Sequence, residues 1–164
     1  MNIFEYAMKM EEDGRAFYLE HAEKTSVPAL KRVLVELAED ELKHYNLFKA
    51  LRDDQPAEYK EAEKTTILST VKNVFESLKT EGAALSFEAD ARKAWEKARE
   101  IEEKSENFYR EKAGEVNDER QKHIFNSIAD EEHKHWVTME NVIQFLDRPQ
   151  QWLEDAEWSH LEDY

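Results

Sequence analysis

The chain of 164 residues predicts an all-α fold, a bundle of four long helices arranged as two hairpins. Three observations predict it. Charged residues make up 37% of the chain and hydrophobic ones 40%, with only three Gly and three Pro, which is the profile of long amphipathic helices joined by few turns. Apolar residues recur at spacings of three, four and seven along four segments. Sliding the chain by 91 positions aligns residues 11–48 with 102–139 without a gap, and 11 of those 38 positions are identical where about two are expected by chance, so one helical hairpin occurs twice.

The first helix is expected from about Ile3 to Glu23, with Phe4, Ala7, Met8, Glu11, Tyr18 and Ala22 on one stripe. It breaks near Thr25-Ser26-Val27-Pro28, where Ser26 is a candidate cap and Pro28 a candidate first residue of the second helix. That helix runs to about Leu51 along Leu30, Val33, Leu34, Leu37, Glu41, His44 and Phe48. Roughly 40 residues then separate the hairpins, including an extra helix near Thr66 to Lys79 with Ile67, Val71, Val74, Phe75 and Leu78 as its apolar stripe. A connection of that length suits a crossover traversing the whole bundle. The second hairpin places Trp95, Ala98, Glu102, Ser105, Tyr109 and Ala113 on one helix. After a turn at Gly114 to Asp118, its other helix carries Ile124, Phe125, Ile128, Glu132, His135, Met139, Val142 and Leu146. Residues 1–148 therefore form the bundle. Residues 149–164 form an aromatic tail, with Trp152, Leu153, Trp158 and Leu161 expected to pack as one short helix on the bundle or on a second subunit.

Two Glu-x-x-His tetrads, Glu41 to His44 and Glu132 to His135, interrupt the apolar stripes. Residues three apart share a helix face, so each tetrad aims a carboxylate and an imidazole at one spot. Glu11 and Glu102 lie 30 residues before the tetrad glutamates, also at stripe positions. Each hairpin's midpoint, Ser26 or Asn117, falls inside its expected turn, which puts Glu and tetrad at one height, about 22 Å from the loop. A Glu from each of two helices and a Glu-x-x-His from each of the other two is the donor set of a dinuclear centre in a four-helix bundle. The expected metal-binding residues are Glu11, Glu41, His44, Glu102, Glu132 and His135. The neighbours Glu12 and Glu103 are the alternative pair of metal-binding carboxylates, but they sit about 100° around the helix from the stripe.

Four buried carboxylates repel one another unless cations neutralise them, and two divalent ions with two neutral imidazoles do so. Carboxylate-rich coordination with one imidazole per ion points to iron, with manganese as the alternative, and away from structural zinc. Asp40 and Glu131 precede the tetrad glutamates and are candidates to accept the second ring N–H of a metal-bound His across the bundle. Tyr18 and Tyr109, seven residues after Glu11 and Glu102, are placed to hydrogen-bond carboxylates one layer away. No catalytic residue beyond these is expected. A lone Glu-x-x-His on a charged helix is usually two exposed side chains, and a Phe-Tyr pair at helical spacing is usually core; the phasing of both repeats sets these apart. His21, His123 and His133 are expected on the surface, and His160 away from the site.

A net charge of -15 argues against nucleic acid and anionic membrane as partners. No apolar run approaches the roughly 20 residues of a membrane span, and the N-terminus lacks a secretory stretch, so a cytoplasmic location is expected. The absence of Cys excludes thiolate and iron-sulfur chemistry within the chain, so its electrons must come from elsewhere.

On Glu11 with Tyr18, Glu41-x-x-His44, Glu102 with Tyr109 and Glu132-x-x-His135, the sequence resembles the rubrerythrin family of ferritin-like di-iron proteins over most of residues 3–146. The resemblance implies a ferritin-like four-helix bundle, often a homodimer, whose non-haem site holds two Fe ions and reduces hydrogen peroxide. Founding members carry a Cys-rich rubredoxin domain that is not found here, so the donor implied is external, such as a rubredoxin-like protein. Ser105 stands where many members place an additional Glu. Haem is not expected, because Leu42 occupies the position where a bacterioferritin places its haem-binding Met. The competing readings are ferrous ion oxidation for sequestration, with oxygen as the oxidant, and a non-catalytic helical module acting through its aromatic tail.

Overall fold

A computed structural model describes residues 1–82, 85, 87–155 and 157–164. Its elements in order are α1 (Ile3–Lys24), α2 (Pro28–Arg52), a 3₁₀ turn (Glu61–Glu63), α3 (Ile67–Glu81), α4 (Ala91–Glu115), α5 (Glu119–Asp147), α6 (Pro149–Glu154) and a second 3₁₀ helix (Glu157–Asp163). No strand occurs among the described residues, and the molecule is an all-α, ferritin-like bundle. None of the described helices is long and apolar enough to cross a membrane.

Helices α1 and α2 pack along their lengths as one hairpin, α4 and α5 as the other. The ends of these helices are set by local chemistry. Asn2 caps α1 by accepting the Glu5 N–H at 2.8 Å, and Asp118 caps α5 by accepting the Gln121 N–H at 3.0 Å. Ser26 is not the cap of α2. With Pro28 at the first helical position, the cap falls on Val27, whose φ of -105° and ψ of 105° are the extended backbone that a following proline imposes. The Ser26 N–H is instead bonded to the Glu88 carboxylate. Gly114 lies inside α4, which continues to Glu115, so the second turn is shorter than the expected Gly114 to Asp118. Gly82 ends α3 at φ 61°, the left-handed conformation that glycine adopts without steric cost.

Two apolar clusters fill the bundle. One, with Ala7, Met8, Phe48, Tyr109, Phe125 and Ile128, occupies the end nearest the N-terminus of α1. The other, with Tyr18, Leu34, Leu37, Ala98, Val142 and Phe145, occupies the opposite end and continues beneath α3. The tail joins this second cluster as two short helices in place of the single one expected. Trp152, Leu153, Trp158 and Leu161 are buried in it, with Phe75 of α3 edge-on to both Trp rings. The Trp158 indole N–H donates to the Trp152 carbonyl at 3.0 Å, tying the two pieces together. Between the apolar clusters lies a polar layer.

Candidate metal centre

Each central helix contributes polar side chains to that layer at positions where its stripe demands burial. Glu11 on α1, Glu41 and His44 on α2, Glu102 on α4, and Glu132 and His135 on α5 are at most 3% exposed. Glu12 and Glu103 point to solvent, as their 100° offset requires. The six buried groups fall into two quartets whose donor atoms lie within 4.8 Å of one another: Glu11, Glu41, His44 and Glu132, then Glu41, Glu102, Glu132 and His135. Glu41 and Glu132 belong to both. The two imidazoles face each other with centroids 6.0 Å apart.

Five of the donor atoms look inward without a hydrogen-bond partner, and a sixth, His135 Nδ1, is bonded within the layer to Glu102 Oε1. Glu11 Oε2, Glu41 Oε1, Glu102 Oε2, Glu132 Oε1 and His44 Nδ1 are buried and accept or donate no hydrogen bond among the described residues. His44 Nδ1 lies 2.9 Å from Glu132 Oε1 and 3.4 Å from Glu11 Oε2, out of hydrogen-bonding alignment. His135 Nδ1 lies 3.3 Å from both Glu41 Oε1 and Glu102 Oε1. Leaving this many buried polar atoms unpaired costs about 1–3 kcal/mol each, more for charged groups, and a cation between them removes that cost. Gly14 completes the cradle. A Cβ at this position would stand 2.9 Å from Glu41 Oε2, so only glycine leaves that carboxylate its space. The hard-oxygen and imidazole donor set, free of thiolate, fits a pair of iron ions.

The outward ring atoms are anchored across the bundle. The His44 Nε2–H donates to Glu131 at 2.8 Å and the His135 Nε2–H to Asp40 at 2.9 Å, so each acidic residue holds the imidazole of the other hairpin. The tyrosines cross over likewise. The Tyr109 hydroxyl donates to Glu11 Oε1 at 2.7 Å and the Tyr18 hydroxyl to Glu102. His133 and His160 are surface residues paired with Glu106 and Asp163, His123 is exposed, and His21 is half-buried against the Phe17 ring. Ser105 is buried but joins neither quartet.

Protonation follows from this crowding. Burial, then the neighbouring carboxylates Glu11, Glu132 and Glu102, push Glu41 well above the ordinary carboxylate range. Burial with Glu102 and Glu11 does the same to Glu132. Burial opposes charge on the imidazoles, yet Glu11 raises His44 and Glu102 raises His135 well above the usual value. Glu131 moves the other way. Burial disfavours its anion, but the bonds from His44, Tyr59 and Thr65 outweigh that and hold it at about 2. Burial and the adjacent carboxylates keep Tyr18 and Tyr109 neutral, so both act only as hydroxyl donors.

Three neighbours of the centre had no visible signal in the sequence. Gly14 is a bare glycine inside a helix, and Tyr59 and Thr65 lie in the irregular crossover, where no period marks a buried residue. The Tyr59 hydroxyl and the Thr65 N–H both bond Glu131, the latter at 2.9 Å, and the Thr65 hydroxyl bonds Asp40.

Comparison with curated proteins and with solved structures gives no significant match. The family model described as Rubrerythrin matches residues 2–143, which takes in both hairpins, the crossover and all six buried donors. By that match, covering most of its 164 residues, the chain belongs to the rubrerythrin family of ferritin-like di-iron proteins.

Proposed function

We propose that this protein is a non-haem di-iron oxidoreductase that reduces hydrogen peroxide to water with electrons from a donor outside the chain. The observation that carries the proposal is the pair of buried quartets sharing Glu41 and Glu132. In this reading Glu11 and His44 would hold one ion and Glu102 and His135 the other, with Glu41 and Glu132, members of both quartets, available to each. When bound, the reduced pair supplies one electron per ion, matching the two that cleavage of an O–O bond consumes.

The chain's own groups do the rest. The apolar clusters above and below the layer keep bulk water away, which strengthens every electrostatic interaction within it. Tyr18 and Tyr109, held neutral, fix one oxygen each of Glu102 and Glu11 and leave the other free to face inward. Asp40 and Glu131 fix the two imidazoles with Nδ1 turned to the centre. Glu41 and Glu132 receive no tyrosine bond, and Glu41 Oε1 and Glu132 Oε1, without a hydrogen-bond partner, would be the oxygens offered to the ions. With no Cys among the 164 residues to carry a thiolate or iron-sulfur relay, this reading takes the immediate electron donor to lie outside them.

The test is anaerobic loading with ferrous ion followed by separate additions of peroxide and of oxygen, with ferric absorption recorded. Rapid oxidation by stoichiometric peroxide, with a much slower response to oxygen, is the expected result. Preferential turnover of oxygen with excess ferrous ion, in a hollow many-subunit particle, would replace the proposal with iron sequestration.

A further inference from the structure

The two outer carboxylates that orient the imidazoles come from different helices, Asp40 on α2 and Glu131 on α5, yet they converge on one crossover residue. Thr65 gives its backbone N–H to Glu131 Oε2 at 2.9 Å and its hydroxyl to Asp40 Oδ2. The same hydroxyl oxygen accepts the Ile67 N–H at 3.2 Å, at the start of α3, which commits its single proton to Asp40. Thr65 is 9% exposed, and both carboxylates are 2% exposed, so solvent does not substitute for these bonds. Tyr59, half-buried, adds a bond to the Glu131 side only.

We propose that Thr65 is a positioning residue for both metal-bound imidazoles, through Asp40 to His135 and through Glu131 to His44, and that Tyr59 positions His44 alone. The inference rests on the di-metal reading above. Its physical basis is that these outer bonds hold each buried carboxylate in place: at Glu131 they fall on Oε2 and leave Oε1 to His44, and at Asp40 the Thr65 hydroxyl and the His135 Nε2–H share Oδ2, so Thr65 fixes the accepting oxygen itself. A fixed, anionic acceptor sets the ring plane and raises the basicity of the nitrogen facing the metal, and losing such a partner typically costs about 10–100-fold in metal affinity. The crossover is thereby part of the centre, and the four bundle helices alone do not complete it.

The bonds are separable, which makes the proposal testable on the full chain loaded with Co(II). Each metal-bound His should give one exchangeable, paramagnetically shifted N–H resonance. Thr65→Val removes the Asp40 bond and leaves the backbone N–H to Glu131, so it should move one resonance and weaken one of two stepwise Co(II) affinities severalfold, less than loss of Asp40 itself would. Tyr59→Phe should move the other resonance and leave the first. Thr65→Ser, which restores the hydroxyl, should return the spectrum and the affinity to those of the parent. A purely structural role for Thr65 would lower the melting temperature without singling out one resonance. If both resonances and both affinities are unchanged in Thr65→Val and Tyr59→Phe while the parent binds two Co(II) ions, the positioning role is wrong and the metal centre stands. If the parent binds no Co(II), both fall together.

Discussion

Glu41 and Glu132 sit in both donor quartets, whereas each His serves one, and this difference in membership separates the effects of substitution. Glu41→Ala should abolish retention of both ions, while His44→Ala should retain the ion on the His135 side, as read by metal per chain after dialysis. Gly14→Ala makes a finer distinction. Exchanging glycine for alanine inside a helix favours the fold by about 0.5–1 kcal/mol, but the new methyl meets Glu41 Oε2 at 2.9 Å and forces that carboxylate aside. The expected outcome is a metal-free protein at least as heat-stable as the parent with weaker metal binding; tighter or unchanged binding would show that Glu41 does not need the position it occupies. At this scale helical phase carried the legible information. It separated Glu11 from Glu12 and Glu102 from Glu103, because a 100° step decides between core and solvent. It was silent about Gly14, since the absence of a side chain leaves no mark on an apolar stripe.

The central helices were readable in the sequence to within a few residues because their stripes span six or more turns and are repeated. The structure departs from the sequence pattern where no period operates. Ser26 was one residue too early for a cap once Pro28 took the first helical position, and the tail broke into two short helices around a Trp indole bonded to a carbonyl. Thr65 was invisible for a related reason. Its partners lie 25 and 66 residues away, a distance that no local pattern encodes. The tail packs on α3 and on α5 within the apolar cluster beyond the donor layer. Trp152→Ala, at a residue 1% exposed, should therefore cost about 3–5 kcal/mol of stability while leaving two ions bound per chain below the melting transition. Chemical unfolding and metal analysis of one preparation check both halves of that prediction.

For the molecule as a whole, a centre of this composition should make stability depend on metal and pH together. Glu41, Glu132, His44 and His135 all hold their protons more tightly when folded than the ordinary values of 4.5 and 6.5 allow. A group whose folded value is raised stabilises the fold below its unfolded value and loses that contribution as pH rises through the folded one. Glu131 opposes this only in acid, where its contribution disappears as pH falls from 4.5 towards about 2. The metal-free protein should therefore melt at progressively lower temperature from about pH 6 to pH 8, and the metal-loaded protein should melt higher with a flatter profile. Calorimetric scans of both forms across that range measure it, and a metal-free melting temperature that climbs with pH would reverse the sign of the argument.

The central claim is that two metal ions lie inside the bundle between Glu41 and Glu132. Crystals grown from iron-loaded protein, with anomalous diffraction collected at the iron edge, address it directly. Two anomalous peaks about 3.5–4 Å apart, one beside His44 Nδ1 and one beside His135 Nδ1, are predicted. An interior without anomalous density, or iron confined to the acidic surface, would contradict the account.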